Sequence, residues 1–336
     1  MPMNATHILH ADRLAAYASY PAAIWAPIIF PLALAVLGQI VVYTNILVHR
    51  SCGRRLLPAC GSDKSSASPS KAVDVPILLL MLSELIFAAC CFSQCIVNWT
   101  ARSFVGGLSA CDFQALYASY YSFASPALCA ITVSYAAQIL TKPEQSPPWI
   151  HVSLTAVLIH AASFIIAALP LLGVSKYLFA VDYGVYDVAS PMYAVLFLVW
   201  FSFCLVGAGR ACAKVICGDK VSPRGRLLVT LTCVYLFFMW LPSVLLACAS
   251  FGIDDLAASK LGAALYGVQA IQLHTNQLVV PVLFGYLLRD QMHLATASMI
   301  EEVEKALRVT IGTFRDALSE EVRKGVKAQE VAMSEA

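Results

Sequence analysis

The sequence predicts an all-α membrane protein: a seven-transmembrane helix bundle with a cytoplasmic amphipathic helix after the seventh span. Three observations carry this. Of 336 residues, 60% are hydrophobic and 12% charged, with a mean hydropathy of +0.74, whereas soluble domains carry roughly 25% charged residues. Seven apolar runs reach the length of about 20 residues that crosses a bilayer. Finally, Pro281 lies inside "LVVPVLFGYLLRD". A central proline breaks a helix in water, but in lipid neighbouring helices and waters satisfy the freed backbone.

In chain order the spans are Ile24–Val48, Val75–Trp99, Asp112–Leu140, Trp149–Gly173, Met192–Ile216, Arg226–Ser250 and Ala263–Leu288. The first twenty residues hold no apolar core with a small-residue cleavage site, so the first span reads as an anchor. The seventh run stops at Arg289 because the hydrocarbon stops there. Beyond it, "RDQMHLATASMIEEVEKAL" mixes charges with Met292, Met299, Val303 and Leu307 at helical spacing. That pattern suits an interfacial helix, and past Glu301 a solvated one. The chain thus divides into an extracellular tail 1–23, a seven-transmembrane domain 24–290 and a cytoplasmic helical tail 291–336.

Loop cations set the orientation. With the N-terminus outside, eleven lie inside (Arg50, Arg54, Arg55, Lys64, Lys71, Lys142, Arg210, Lys214, Lys220, Arg224, Arg226) against four outside (Arg13, Arg102, Lys176, Lys260). Sequons at Asn4 and Asn98 agree, as glycosylation acceptors on the external side. The twelve cysteines do not form a metal pattern, and no metal site is expected. Cys90, Cys91, Cys95, Cys129, Cys204 and Cys233 fall in spans, where a thiol packs as a small hydrophobe. Cys52, Cys60, Cys212 and Cys217 lie beside basic residues at the inner face, where palmitoylated and inert thiols both fit. No basic cluster interleaved with aromatics points to nucleic acid.

Motifs within the spans discriminate further. "LGQIVVYTNILVHR", "LSELIF", Trp99 followed by Cys111, "FMWLP" and "VPVLFGY" come in order across nearly the whole chain to Asp290. Together they resemble the rhodopsin-like (class A) G-protein-coupled receptors. Gln39 stands where that family has Asn, Glu84 where it has the acid of its sodium site, and Val280 and Phe284 replace Asn and Tyr of Asn-Pro-x-x-Tyr. Trp240 and Pro242 match the toggle, and Pro281 the seventh-helix hinge. The resemblance implies a switch built from Trp240, Pro242, Pro281 and Phe284.

Two departures matter. Ser134, Tyr135 and Ala136 occupy the family's Asp-Arg-Tyr position, so G-protein coupling is implied by the resemblance without this motif's support. Cys111 matches one half of the family's external disulfide, yet "VSKYLFAVDYGVYDVASP" has no cysteine. Cys111 either stays free or pairs elsewhere, with Cys95 and Cys248 nearest in depth. The degraded motif together with "CDF" and Ser125-Pro126 resembles lineage-expanded nematode-type serpentine chemoreceptors.

Ligand-binding candidates in the outer half of the bundle are Tyr117, Tyr120, Tyr121, Trp240, Ser243, Tyr266, Gln269 and His274. Aromatics with a few polar handles suit a small, largely apolar, uncharged ligand, though each residue also fits ordinary packing. Amine receptors of the family carry an acid where Tyr117-Ala118 stands, and opsins a Schiff-base lysine where His274 stands; neither chemistry carries over. His274 could sense protons or serve as a neutral hydrogen-bonding partner. Glu84, Ser125 and Asn276 could converge on a polar cavity in mid-membrane, which the resemblance makes a sodium site and desolvation a proton site. An acid in mid-span normally faces the interior with a function. Either a carboxylate holds sodium there with hydroxyl and amide oxygens, or desolvation keeps Glu84 protonated.

The reading is a plasma-membrane receptor, N-terminus outside, for a small molecule or peptide, with a heterotrimeric G protein as partner and no cofactor besides sodium near Glu84. The alternative is a transporter or channel with Glu84 in the permeation path, which the odd helix count without repeats disfavours. No His-Glu-x-x-His, Gly-x-Ser-x-Gly or paired membrane aspartates suggest an enzyme.

Overall fold

A computed structural model describes residues 22–51, 71–101, 105, 107–145, 147–174, 177–180, 183–186, 191–218, 221–253, 260–287, 305, 308 and 312. Seven long helices account for most of them: α1 Ala22–Ser51, α2 Lys71–Ala101, α3 Gly107–Thr141, α4 Trp149–Ala168, α5 Pro191–Ile216, α6 Pro223–Ala249 and α7 Lys260–Leu287. Each coincides with one expected span. Backbone contacts divide the chain into Met1–Arg289 and Asp290–Ala336. The expected amphipathic helix after Arg289, with Met292, Met299, Val303 and Leu307, lies outside the described residues, as do Asn4, Cys52 and Cys60.

The helices close on themselves. Neighbours pack in sequence from α1 to α4 and from α5 to α7, α1 returns against α7, and α3 touches α2, α4, α5 and α6. Burial then runs against the soluble-protein rule. The window on α4 has the highest hydropathy, 2.2, yet only 22% of it is buried, whereas α3, at 1.5, is 72% buried. Phe203, Leu172, Ile271 and Phe30 each expose two thirds or more of their surface. Such faces are stable only against hydrocarbon. Five helices among the described residues are long and apolar enough to cross a membrane, and the chain is a multi-pass membrane protein.

Local chemistry fixes the ends and bends. Pro223 opens α6 at the first helical position, and the Ser222 hydroxyl caps it by accepting from the Gly225 amide at 3.2 Å. After α4 a short 3-10 turn, Leu169–Leu172, ends at Gly173, whose φ of 77° needs a residue without a Cβ. Pro126, Pro242 and Pro281 lie inside α3, α6 and α7. Three residues before Pro126, the Phe123 carbonyl accepts from Trp200 Nε1 at 3.0 Å and ties α3 to α5. Tyr193, Phe197 and Phe201 stack along α5 at four-residue spacing, with near-parallel rings about 6 Å apart. Phe123 meets Phe197 edge-on.

The bundle is not purely helical. Between α4 and α5, β1 Tyr177–Ala180 pairs antiparallel with β2 Tyr183–Tyr186, Tyr177 opposite Tyr186, and β2 packs on α3. Four-residue strands joined by Val181-Asp182 are too short for periodicity to register. At its far end α2 runs two residues beyond the expected span, through Trp99 to Ala101.

Candidate functional site

Glu84, on α2, is fully buried between α3 and α7. The Tyr121 hydroxyl donates to its Oε2 and the Ser125 hydroxyl to its Oε1, each at 2.7 Å. Tyr121 and Ser125 are four apart on α3 and so share one face. The amide of Gln277 also approaches the carboxyl. Asn276, expected to join this group, is fully buried with neither amide atom hydrogen-bonded. Its neighbour Gln277 takes the expected place because one residue on a helix rotates the side chain by about 100°. Gln39 closes the same layer from α1, donating to the Gln277 carbonyl at 3.1 Å.

The oxygens of Glu84 and Ser125 are the donor type that hard cations take, whereas Asn276, which the resemblance adds to them, is not among the partners of the carboxyl.

An aromatic group sits next to this carboxyl. Tyr121 stacks on Phe87 (ring centroids 4.3 Å apart, 28° between planes) and touches Trp240 at 5.6 Å. Trp240 is fully buried with its indole nitrogen unpartnered. Ser243, one turn on along α6, donates to Gln272 Oε1 at 2.8 Å and accepts from Gln269 Nε2 at 3.4 Å. All three of these polar residues are buried and uncharged. Tyr117 lies edge-on to Phe87 and Phe113, its hydroxyl without a hydrogen-bond partner.

The other ligand candidates scatter. Tyr120 turns away from this group and bonds to His160 Nδ1 on α4, its ring stacked on the imidazole. Tyr121 belongs with Glu84. His274 Nε2 lies 3.1 Å from Cys91 Sγ on α2. Tyr266 is on α7, with its side chain outside the described residues. Sequence reasoning missed Gln272 and Gln277, whose neighbours Gln269 and Asn276 it named. It also missed the tie between Tyr121 and Ser125, although their four-residue spacing was there to be read.

The switch candidates are placed as follows. Pro281 abuts Gly38 of α1, where an added Cβ would stand 3.3 Å from Pro281 Cβ. Phe284 is fully buried, and Pro242 half-buried in α6. At the degenerate motif, Ser134 donates back to the Ala130 carbonyl at 2.8 Å, and Tyr135 donates to Thr155 Oγ1 on α4 at 3.1 Å. Ala136 is only 1% exposed. A cavity of about 680 Å³ opens beside Ser134 between α3 and α5, lined also by Gln138, Lys142, Arg210 and Lys214.

Two expectations need correction. Asn98 is buried, and its Oδ1 accepts from the Val105 amide at 3.0 Å. A buried side chain that holds the Val105 amide is not presented for glycosylation. Cys95 and Cys248, the proposed alternative partners of Cys111, are both free thiols; the Cys111 side chain is outside the described residues.

No protein-family model matches the sequence, and no curated protein matches it. Among solved structures the chain is similar to squid rhodopsin, at 13% identity and a TM-score of 0.61, over 84% of this chain and 87% of that one. The seven-helix arrangement is the rhodopsin-like G-protein-coupled receptor fold.

Proposed function

We propose that the protein is a plasma-membrane receptor, N-terminus outside, that senses a small uncharged ligand or peptide and signals inward by helix rearrangement. The observation that carries this reading is the continuous contact line from Trp240, one turn from Ser243 on α6, through Tyr121 to Glu84 and Ser125. It joins the half of the bundle with the uncharged Ser243–Gln269–Gln272 group to the central polar layer. From Ser125, α3 continues about two and a half turns to Ser134 at the cleft. A ligand acts by binding one arrangement of that line better than the other.

The cleft beside Ser134 is the docking place in this reading for a heterotrimeric G protein. Lys142, Arg210 and Lys214 there supply the positive charge that an arginine in the motif would otherwise bring. The transporter alternative finds less support, because both Glu84 oxygens are held by buried hydroxyls within a fully enclosed site. Cells expressing the chain with G-protein fragments and arrestin as recruitment reporters test the proposal against an odorant and peptide panel. Ligand-dependent recruitment is expected. Proteoliposome uptake of a solute or ion that Glu84→Gln abolishes, with no recruitment, would replace the receptor reading with transport.

A further inference from the structure

Seven residues from Glu84 toward the Ala101 end of α2, Cys91 and Cys95 lie four apart on one face. His274 of α7 stands opposite them. The two sulfurs and a ring nitrogen of His274 all lie within 4.8 Å of one another, with Cys91 Sγ and His274 Nε2 at 3.1 Å. We propose that Cys91, Cys95 and His274 bind a thiophilic divalent cation, zinc by preference, inside the bundle. The site is separate from the oxygen-lined group at Glu84 and does not depend on the receptor reading.

Three arguments converge on this ion. Zinc bound to sulfur at about 2.3 Å and nitrogen at about 2.0–2.1 Å holds its ligand atoms roughly 3.5–3.8 Å apart in a tetrahedron. With one separation at 3.1 Å and none above 4.8 Å, small side-chain rotations close the site. Charge selects the same ion. Zn²⁺ displaces one proton from each thiol, two protons leave to solvent, and neutral imidazole gives a lone pair, so the bound unit carries no net charge. A neutral unit is what a water-poor interior tolerates. Calcium and magnesium take oxygen ligands and do not suit this donor set.

The third argument comes from outside the triad. Tyr117 is 8% exposed and its hydroxyl has no hydrogen-bond partner, while its ring meets Phe87, one turn from Cys90 and Cys91 along α2. A zinc ion with three protein ligands keeps a fourth position. The phenol oxygen, or a water bonded to it, would fill that position and give the hydroxyl a partner.

The test uses the full chain, purified in detergent, stripped with a chelator and loaded with zinc chloride or cobalt chloride. About one equivalent of zinc per chain is expected, with a thiolate-to-cobalt charge-transfer band in the cobalt form. Cys91→Ser and Cys95→Ser should lose the zinc and the band, and His274→Ala should weaken zinc at least tenfold. Cys129→Ser, which removes a buried thiol outside the cluster, should keep both. Zinc-free melting curves report whether each variant folds. For any that does not, zinc protection of Cys91 and Cys95 from maleimide, mapped by peptide mass in the unmodified chain, gives the answer. Sub-stoichiometric zinc, zinc retained in folded Cys91→Ser and Cys95→Ser, or unprotected thiols would overturn the site.

Discussion

The Tyr121 hydroxyl donates to Glu84 at 2.7 Å while the same residue's ring rests against Trp240 at 5.6 Å. One side chain of α3 thereby touches a carboxyl of α2 and an indole of α6. A tyrosine has few rotatable bonds, so displacing the indole shifts the phenol and disturbs its bond to the carboxyl. The coupling needs no intervening water or loop.

Tyr121→Phe keeps the ring contacts and removes one donor from the carboxyl. We expect a loss of about 1–3 kcal/mol, the range for a buried group left without its partner, read as thermal unfolding in detergent. Combined with Ser125→Ala it should be non-additive by 0.5 kcal/mol or more, in the range for residues sharing one partner. Additive losses would mean that the two hydroxyls do not act on the same carboxyl.

Ser243→Ala strips the hydroxyl that bridges Gln272 and Gln269. A cost of about 1–3 kcal/mol follows, since two buried amides lose a partner. In the recruitment assay the same variant should weaken ligand potency. Unchanged stability would place water in the gap.

Gly38 admits Pro281 because it has no side chain. Alanine would put a methyl 3.3 Å from the proline Cβ, a tight contact that a slight shift relieves, whereas leucine cannot fit without moving α1 from α7. Gly38→Ala should lose less than Gly38→Leu, for which overpacking predicts about 1–3 kcal/mol. Equal melting temperatures for the two variants would contradict the close approach.

Asn98→Asp preserves the oxygen that accepts from Val105 and destroys the sequon. The protein should fold, and its mobility before and after glycosidase treatment should match that of the unmodified chain. A mobility shift that disappears with this substitution would establish a glycan at Asn98.

Arg210 and Lys214 line the cleft and are exposed. Alanine at both should change stability by less than about 0.5 kcal/mol each, as exposed sites do, while lowering partner recruitment. Ala136→Arg should instead deplete folded protein, because a charge at a position 1% exposed lacks a partner. If Ala136→Arg folds normally and increases recruitment, the missing arginine was the limiting element.

The helices were legible because lipid imposes length: the fifth was expected at Met192–Ile216 and found at Pro191–Ile216. The Glu84–Ser125 pair was legible through the resemblance. Facing direction was not. Tyr120 and Tyr121 differ by one position, yet one bonds to α4 and the other to Glu84. Sequence alone does not fix the rotation of α3 about its axis, and the same uncertainty exchanged Asn276 for Gln277. The cysteine–histidine group was hidden for another reason. Cys91 and His274 are 183 residues apart, and no local spacing reports a partner brought by ring closure.

The lipid-facing fourth helix has a consequence for ancestry. Where acyl chains are the only neighbour, any oily residue serves as well as another, so identities can drift while hydropathy is held. A backbone trace can therefore outlast nearly all of the letters that once spelled it.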